Sequence, residues 1–266
     1  MSRVCTFAFA GVTALVVGSG AFAADLAAAY QPVATGGWYL RGYIGQSNQF
    51  VNSISHPSFA TAAQFTFLDK GGFDSAPFYG ASVGYQWTSW LRTDVTGEYR
   101  GKASFHALDR YFNAGYFTND YTASKSEWVA LVNAYIDLGT WWSITPYVGA
   151  GVGVAFNTIE HFRDTNVIAG GGGWADTGRQ TSLAWALHAG AAYRVTSNLA
   201  LDLSYRYLNV GNARSGTLVN LDPTVFSGNP LAPVTFHNIQ SHDLMLGLRW
   251  MLQPEPMYSP SIIRKG

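Results

Sequence analysis

Charged residues are scarce in this sequence of 266 residues, since Asp, Glu, Lys and Arg make up only 12% of it. A soluble domain usually carries about 25% charge. Sixteen Lys and Arg balance sixteen Asp and Glu, so no basic excess is present to hold a nucleic-acid backbone. Cys5 is the only cysteine, which excludes a disulfide framework. After residue 23, no uncharged apolar run is long enough for a helix to span a membrane.

The first 23 residues have the features of a secretory signal peptide. A short basic start at Met1–Arg3 is followed by an uncharged apolar run from Phe7 to Gly20. Ala21, Phe22 and Ala23 then match the small-residue cleavage signature. We therefore expect cleavage after Ala23 and export of the remaining chain, with an uncleaved anchor as the alternative.

Glycine and aromatic residues are abundant, with 29 Gly and an aromatic fraction of 15%, which favours strands and turns. Eight segments alternate apolar with polar or small side chains, the pattern of a half-buried strand. Their length suits a tilted membrane-spanning strand of about 9–11 residues. They cover approximately 37–49, 78–87, 91–100, 127–138, 144–157, 183–194, 199–207 and 243–252.

Two features of these segments favour a membrane barrel over a soluble sandwich, which is the alternative. Their apolar faces contain no Asp, Glu, Lys or Arg, and every charge within a segment falls on the opposite face. Aromatic residues gather at the segment ends at two levels, as in the girdles at the two bilayer interfaces. One level holds Trp38, Trp87, Trp90, Trp141, Trp142, Tyr193 and Trp250, and the other holds Tyr99, Trp128, Phe156 and Tyr207.

The connections between the segments alternate in length, three being tight (88–90, 139–143, 195–198) and four long (51–76, 101–121, 158–180, 209–238). Tight periplasmic turns and long outer loops are typical of outer-membrane barrels. The sequence therefore predicts an all-β fold, an eight-stranded antiparallel up-and-down transmembrane β-barrel with four long extracellular loops. Ten strands are the alternative if residues 64–67 extend a loop hairpin. The expected regions are a signal peptide (1–23), a periplasmic lead-in (24–36), the outer-membrane barrel (37–252) and a Pro-rich periplasmic tail (253–266).

Four segments resemble the small immunogenic outer-membrane proteins of alphaproteobacteria, which look like distant relatives of the OmpA membrane domain. They are Gly37–Gly42, Pro146–Gly153, Asn198–Tyr207 and His242–Trp250, and the likeness covers most of residues 24–252. The resemblance implies envelope integrity, surface antigenicity and, in some members, adhesion or haemin binding. We expect outer-membrane lipid and lipopolysaccharide as partners, with host or surface ligands reached through the loops. The sequence departs from the family at its end, where prolines follow Leu252 in place of a terminal aromatic residue.

The polar strand faces would point into the barrel and carry six basic and six acidic residues. These are Arg41, Arg92, Arg100, Arg194, Arg206, Arg249, Asp94, Glu98, Glu127, Asp137, Asp202 and Asp243. Eight strands leave a bore only wide enough for side chains, and an uncompensated charge there would be very costly. We therefore predict a paired charge network that plugs the lumen. A small gated pore, opened by exchange of partners, is the alternative.

Histidine falls once in each long loop, and imidazole is a good ligand for haem iron and transition metals. The candidate loop ligands for haemin are His56, His106, His161 and His237. A haemin-binding or adhesin surface protein is therefore a further alternative, although we expect no resident cofactor and no metal.

Catalysis is not expected. Ser241, His242 and Asp243 are the nearest approach to a catalytic relay, but strand alternation sends His242 to one face and its neighbours to the other. No nucleophile elbow, phosphate loop or Cys-based metal spacing occurs. The predicted function is that of a structural, surface-exposed outer-membrane barrel that supports envelope integrity and surface interactions through its loops.

Overall fold

The computed structural model describes residues 36–166, 168, 170–221 and 232–252. The predicted signal peptide, the tail and nearly all of the lead-in lie outside the described residues. The strands are β1 (Gly37–Ser55), β2 (Ala63–Gln86), β3 (Leu91–Phe112), β4 (Tyr116–Phe117), β5 (Asn119–Asp137), β6 (Ile144–Asn166), β7 (Gly172–Ala175), β8 (Gly178–Arg194), β9 (Leu199–Arg214), β10 (Leu218–Asn220) and β11 (Thr235–Met251), and the helix α1 is Pro57–Thr61. Within these described ranges, no helix is long and apolar enough to cross a membrane.

Eight long antiparallel strands close into a barrel in the order β1, β2, β3, β5, β6, β8, β9 and β11. Strands β1 and β11 make the closure, and their ladder runs from Tyr39 opposite Met251 to Ser55 opposite Thr235. The short strands β4, β7 and β10 extend the sheet at one end only. The predicted fold class is confirmed. Residues 64–67, the basis of the ten-strand alternative, lie inside β2.

We call the end of the barrel that carries Gly37 and Met251 the proximal end, and the opposite end the distal end. Proximal turns are tight, as where the Trp87 and Val195 amides donate to the carbonyls of Leu91 and Leu199. At the distal end the strands run far beyond their predicted limits, and β3 continues to Phe112. The prediction that 51–76, 101–121 and 158–180 are loops is therefore wrong for most of their length.

The distal strand extensions escaped the sequence analysis because their alternation is inverted. In β3, Ala103, Phe105 and Ala107 are buried inside the barrel, whereas Ser104 and His106 are exposed outside. That is the arrangement of a soluble barrel, and it differs from the apolar-outside pattern that marks membrane-spanning strands. The number of extracellular loops stays a prediction.

The outer surface of the proximal half is an apolar belt. Leu183, Leu244 and Ile44 each expose about two thirds of their side chains, at 68%, 60% and 64%. Exposed tryptophans such as Trp38 and Trp128 border this belt on its two sides. A continuous exposed apolar surface of this extent is typical of a protein that faces lipid.

Tyrosines that point inward lie against glycines of the neighbouring strand. The cross-strand pairs are Tyr39–Gly84, Tyr43–Gly80, Tyr135–Gly149 and Tyr147–Gly190. A Cβ atom built on Gly84 would lie 2.2 Å from the Tyr39 ring, closer than two carbon atoms can approach. Gly42 on the outward face has open space around it. The inward glycines are thus required where a ring fills the bore.

The barrel interior divides into a polar proximal part and an apolar distal part. Phe73, Phe105, Phe162, Phe236 and Ile239 belong to one buried cluster in the distal part. Proximal positions hold buried charges and tyrosines instead. The two parts meet at Lys125, whose Nζ lies 5.4 Å from the centre of the Phe73 ring.

Candidate functional site

A cluster of six buried charges fills the middle of the barrel, and we call it the central ion cluster. Its bases are Arg100, Lys125 and Arg206, and its acids are Glu98, Glu127 and Asp243. Each side chain is at most 1% exposed. The equal number of opposite charges keeps the cluster neutral, which burial of ions requires.

Each base in the central ion cluster contacts at least one acid directly. Arg100 Nε donates to Glu127 Oε1 at 2.6 Å, and its Nη1 donates to Asp243 Oδ2 at 2.8 Å. Arg206 Nη2 donates to Glu98 Oε1 at 2.7 Å and to Asp243 Oδ2 at 2.7 Å. Lys125 Nζ pairs with Glu127. Charge-assisted hydrogen bonds of this kind are the strong ones, and here they tie β3, β5, β9 and β11 together across the bore.

Two further ion pairs lie on the proximal side of the cluster. Arg41 Nη2 donates to Asp202 Oδ1 at 2.7 Å, and the same oxygen accepts from the Tyr147 hydroxyl at 2.7 Å. Arg92 Nε donates to Asp137 Oδ1 at 3.0 Å. The Arg92 guanidinium lies 4.1 Å and 4.4 Å from the ring centres of Tyr135 and Tyr147, so cation–π contacts hold its other face.

Asp94 is buried without an ion pair, and neutral donors satisfy it. Asn133 Nδ2 donates to Asp94 Oδ1 at 2.7 Å, and the hydroxyls of Tyr39 and Ser82 each donate to Oδ2 at 3.2 Å. Thr96 Oγ1 adds a fourth bond at 3.2 Å. A buried carboxylate with several donors does not need a basic partner to be stable.

Eleven of the twelve residues in the predicted lumen network are buried inside the barrel: Arg41, Arg92, Asp94, Glu98, Arg100, Glu127, Asp137, Asp202, Arg206, Asp243 and Arg249. Arg194 is exposed at the proximal rim, where β8 ends, and it lines the mouth of the bore rather than its buried interior. Lys125 supplies the sixth buried base instead. It lies two residues before Glu127 on the same face of β5, an alternation that could have revealed it.

The four loop histidines have separate surroundings, and the haemin site based on them stays a prediction. His56 caps α1, and its Nε2 is 2.9 Å from the Ala232 carbonyl oxygen. His237 Nε2 is 2.7 Å from Ser55 Oγ. His106 and His161 are exposed on the outside of the barrel. Among the described residues, no three His, Cys, Asp or Glu are placed to hold a metal ion.

A second polar group lies in the distal extension, beyond the apolar belt, and sequence analysis missed it. Asp109 accepts hydrogen bonds from the Asn119 amide at 3.0 Å and from the Tyr121 hydroxyl at 2.5 Å. Asp164 faces Tyr121 across the β5–β6 ladder, and its Oδ1 is buried without a hydrogen-bond partner. Burial, and then the nearby Asp109 carboxylate, raise the pKa of Asp164 to about 7. Burial also raises the pKa of Asp109.

Ser241, His242 and Asp243 alternate across β11 as the sequence predicts. Ser241 and Asp243 are buried in the bore, whereas His242 is exposed outside. His242 Nδ1 lies 2.5 Å from the Tyr205 hydroxyl, and its ring packs edge-on against Phe50. The barrel wall therefore separates the imidazole from both neighbours.

A closed antiparallel barrel with an apolar outer belt, two aromatic borders and a charged interior is a membrane-spanning β-barrel. The model of the outer membrane protein beta-barrel domain family matches residues 13–230 of this chain. The chain belongs to this family and is a protein of the bacterial outer membrane. In such barrels the short turns are periplasmic, so we expect the proximal end to face the periplasm and the distal end to face the exterior.

Relatives of known sequence include an uncharacterized protein of Brucella abortus (strain 2308). It is 33% identical over 246 residues, which cover 80% of this chain and 84% of the relative. The outer membrane protein PagN of Salmonella typhimurium is 32% identical over 123 residues, 45% of this chain and 47% of PagN. A candidate adhesin of Rickettsia typhi is 27% identical over 124 residues, 45% of this chain and 49% of that protein.

Similar solved structures include the outer membrane protein OprG from Pseudomonas aeruginosa. It has a TM-score of 0.48 and 13% identity, and the match covers 83% of this chain and 97% of OprG. Neisserial surface protein A gives a TM-score of 0.42 at 18% identity, over 80% of this chain and 96% of that one.

Proposed function

We propose that this protein is a structural outer-membrane barrel with a closed interior, which supports the envelope and contacts other molecules through its distal end. The observation that carries the proposal is that side chains occupy the bore at both levels. The fully buried Arg92, Arg100 and Arg206 lie at the membrane level, and Phe105 and Phe236 lie distally. A bore filled by paired ions and then by aromatic rings supports a closed interior.

Conductance in planar bilayers tests the closed interior directly. Wild-type protein refolded in detergent, with a boiled-versus-unboiled gel shift to show a closed barrel, is expected to stay silent under voltage. The double variant Phe73→Ala and Arg100→Ala removes one filling side chain from each part and should raise the frequency of conductance steps. Discrete, reproducible steps from the wild type would overturn the proposal and favour the small gated pore.

The distal outer surface offers a site for surface interactions. A cavity of about 300 Å³ there is lined by Arg163, Thr165, Gly173, Trp174 and Leu221. Trp174 is 40% exposed, and an exposed indole beside a guanidinium suits sugars that carry acidic groups, such as those of lipopolysaccharide or a host surface. The relative that is named a candidate adhesin supports the same reading.

Binding of bacteria to glycan-coated surfaces tests this distal site. Bacteria that display the wild type should bind glycan-coated surfaces, and the double variant Trp174→Ala and Arg163→Gln should lose most of that binding. Phe112→Ala removes a similarly exposed distal aromatic residue outside the cavity and serves as the matched control. Equal binding by the double variant and the wild type would remove the distal cavity from the proposal.

A non-catalytic role is part of the proposal. The barrel wall separates His242 from Ser241 and Asp243, so no relay of the three side chains exists in this geometry. Lipid hydrolysis by purified protein that disappears in His242→Ala would overturn this part.

A further inference from the structure

Arg249 differs from the other buried arginines because no acid compensates it directly. Its side chain lies inside the barrel near the proximal end and is 9% exposed. Arg41, Arg92, Arg100 and Arg206 each form at least one ion pair of 3.0 Å or less, whereas Arg249 forms none within the described part of the chain. Its Nη1 atom is fully buried and has no hydrogen-bond partner.

The remaining contact of the Arg249 guanidinium is weak. Its Cζ lies 5.9 Å from the centre of the Tyr39 ring, compared with 4.1 Å for Arg92 over Tyr135. In the β1–β11 ladder the residue directly opposite Arg249 is Arg41, another base. A buried guanidinium without an acceptor is costly, so this position needs a negative group from elsewhere.

A cavity of about 60 Å³ opens beside Arg249 at the proximal mouth of the barrel. This space corresponds to several water molecules or one small oxyanion, at about 10–15 Å³ for each water. Arg194, Gln86 and Thr145 are polar residues that line the same cavity.

The acids near this cavity are already engaged by other residues. Asp137 also lines the cavity, but it accepts from Arg92 Nε at 3.0 Å and from Gln86 Nε2 at 3.4 Å. Asp202 accepts from Arg41 and Tyr147. Arg249 is therefore a base whose Nη1 lacks a hydrogen-bond acceptor, and it lines the cavity at the proximal mouth of the barrel.

We propose that Arg249 and the proximal cavity form a binding site for a small oxyanion, a carboxylate or a phosphate group. The planar fork of a guanidinium fits both groups with two parallel hydrogen bonds. The anion could be a free solute of the periplasm or a carboxylate of this chain. Glu255 follows Leu252 by three residues in the sequence, outside the described residues, and is one such carboxylate.

Phosphate binding to the refolded full chain in detergent micelles tests the site and separates its two sources. Titration calorimetry and ³¹P line broadening with inorganic phosphate, at constant ionic strength, would be compared for wild type, Arg249→Gln and Glu255→Gln. Arg110→Gln, which removes an exposed distal arginine, is the control for non-specific attraction.

One saturable phosphate per wild-type chain, weakened at least tenfold in Arg249→Gln and unchanged in Arg110→Gln, would show a site for free anions. Binding that appears only in Glu255→Gln would show that the carboxylate of the chain occupies the site. Absence of phosphate binding in both the wild type and Glu255→Gln would overturn the proposal. Phosphate binding by Arg249→Gln that equals that of the wild type would overturn it as well. If Arg249→Gln does not fold, Thr145→Phe places a ring in the cavity while it keeps Arg249 in the chain, and unchanged phosphate binding by this variant would contradict the proposal.

Discussion

The proximal and distal parts of this barrel have opposite arrangements of polar and apolar residues on the same strands. In β5, Asn133 and Asp137 point inward at the membrane level, where Val132 and Ile136 are exposed outside. Near the distal end of the barrel, Phe105 of β3 is buried inside and its neighbour His106 is exposed outside. The polarity of the strand faces therefore reverses within one continuous sheet.

The reversal follows from what surrounds each part. Lipid around the proximal half accepts apolar side chains, so the polar residues take the bore and neutralise one another there. Water around the distal half accepts polar side chains, so the aromatic residues fill the bore by the ordinary hydrophobic effect. The comparison predicts that proximal stability depends on ion pairing, whereas distal stability depends on packed apolar volume.

Removal of one base from the central ion cluster should give the largest effect. Arg206→Met leaves Glu98 and Asp243 with fewer partners in a fully buried site. Removal of one partner from a buried ion network costs about 3–5 kcal/mol. We expect a loss of this size in the free energy of unfolding. Urea titration of tryptophan fluorescence in detergent micelles measures it.

Lys102→Met is the matched control for this loss. Lys102 also pairs with an acid, Glu160, at 2.7 Å, but it lies on the outer surface. Solvent screening makes such pairs weak, so the variant should unfold almost as the wild type does. Similar losses for Arg206→Met and Lys102→Met would mean that burial of the cluster has no special role.

Truncation of a distal ring tests the apolar half. Phe105→Ala removes a fully buried ring that contacts Phe73 and Phe236 at 5.2 Å and 5.1 Å between centres. We expect a loss of about 3 kcal/mol, measured as faster hydrogen exchange in the distal strand extensions. Phe112→Ala, at an exposed position of the same strand, should change the exchange rates little.

A methyl group added at an inward glycine of the proximal half should reduce stability less than Arg206→Met or Phe105→Ala. Gly84→Ala places its Cβ 2.2 Å from Tyr39, so the ring must move and disturb its bond to Asp94. Overpacking of this kind costs about 1–3 kcal/mol in the free energy of unfolding. Gly42→Ala on the outer face has open space and should fold with unchanged stability. A barrel that tolerates both substitutions equally would exclude tight tyrosine–glycine packing.

The proximal half was largely predictable from the sequence, and the distal half was not. Strict alternation with charges confined to one face identified the spanning strands and the interior position of residues such as Arg100 and Asp243. The distal extensions carry the same period with the opposite polarity, so Phe105 and Phe236 were assigned to loops. Pairing across the bore, such as that of Arg206 with Glu98, depends on residues 108 positions apart, which no local pattern contains.

Acid should stabilise the distal half, in contrast to the ion-paired proximal half. The pKa of Asp164 is about 7 in the folded protein because of burial and the facing Asp109, and about 3.9 in an unfolded chain. Between these values the folded state holds more protons, so distal stability should fall as the pH rises from about 4 to about 7. Tyr121 of β5 and Asp109 and Tyr111 of β3 are titratable groups near this site, and burial raises the pKa of each. Hydrogen exchange of β6 and β7 amides at pH 5 and pH 7.5, corrected for intrinsic rates, should show this difference in the wild type and lose it in Asp164→Asn.

Asp120→Asn, at an exposed position of β5, is the control and should keep the wild-type pH dependence. A pH dependence that survives in Asp164→Asn would assign the effect to another group.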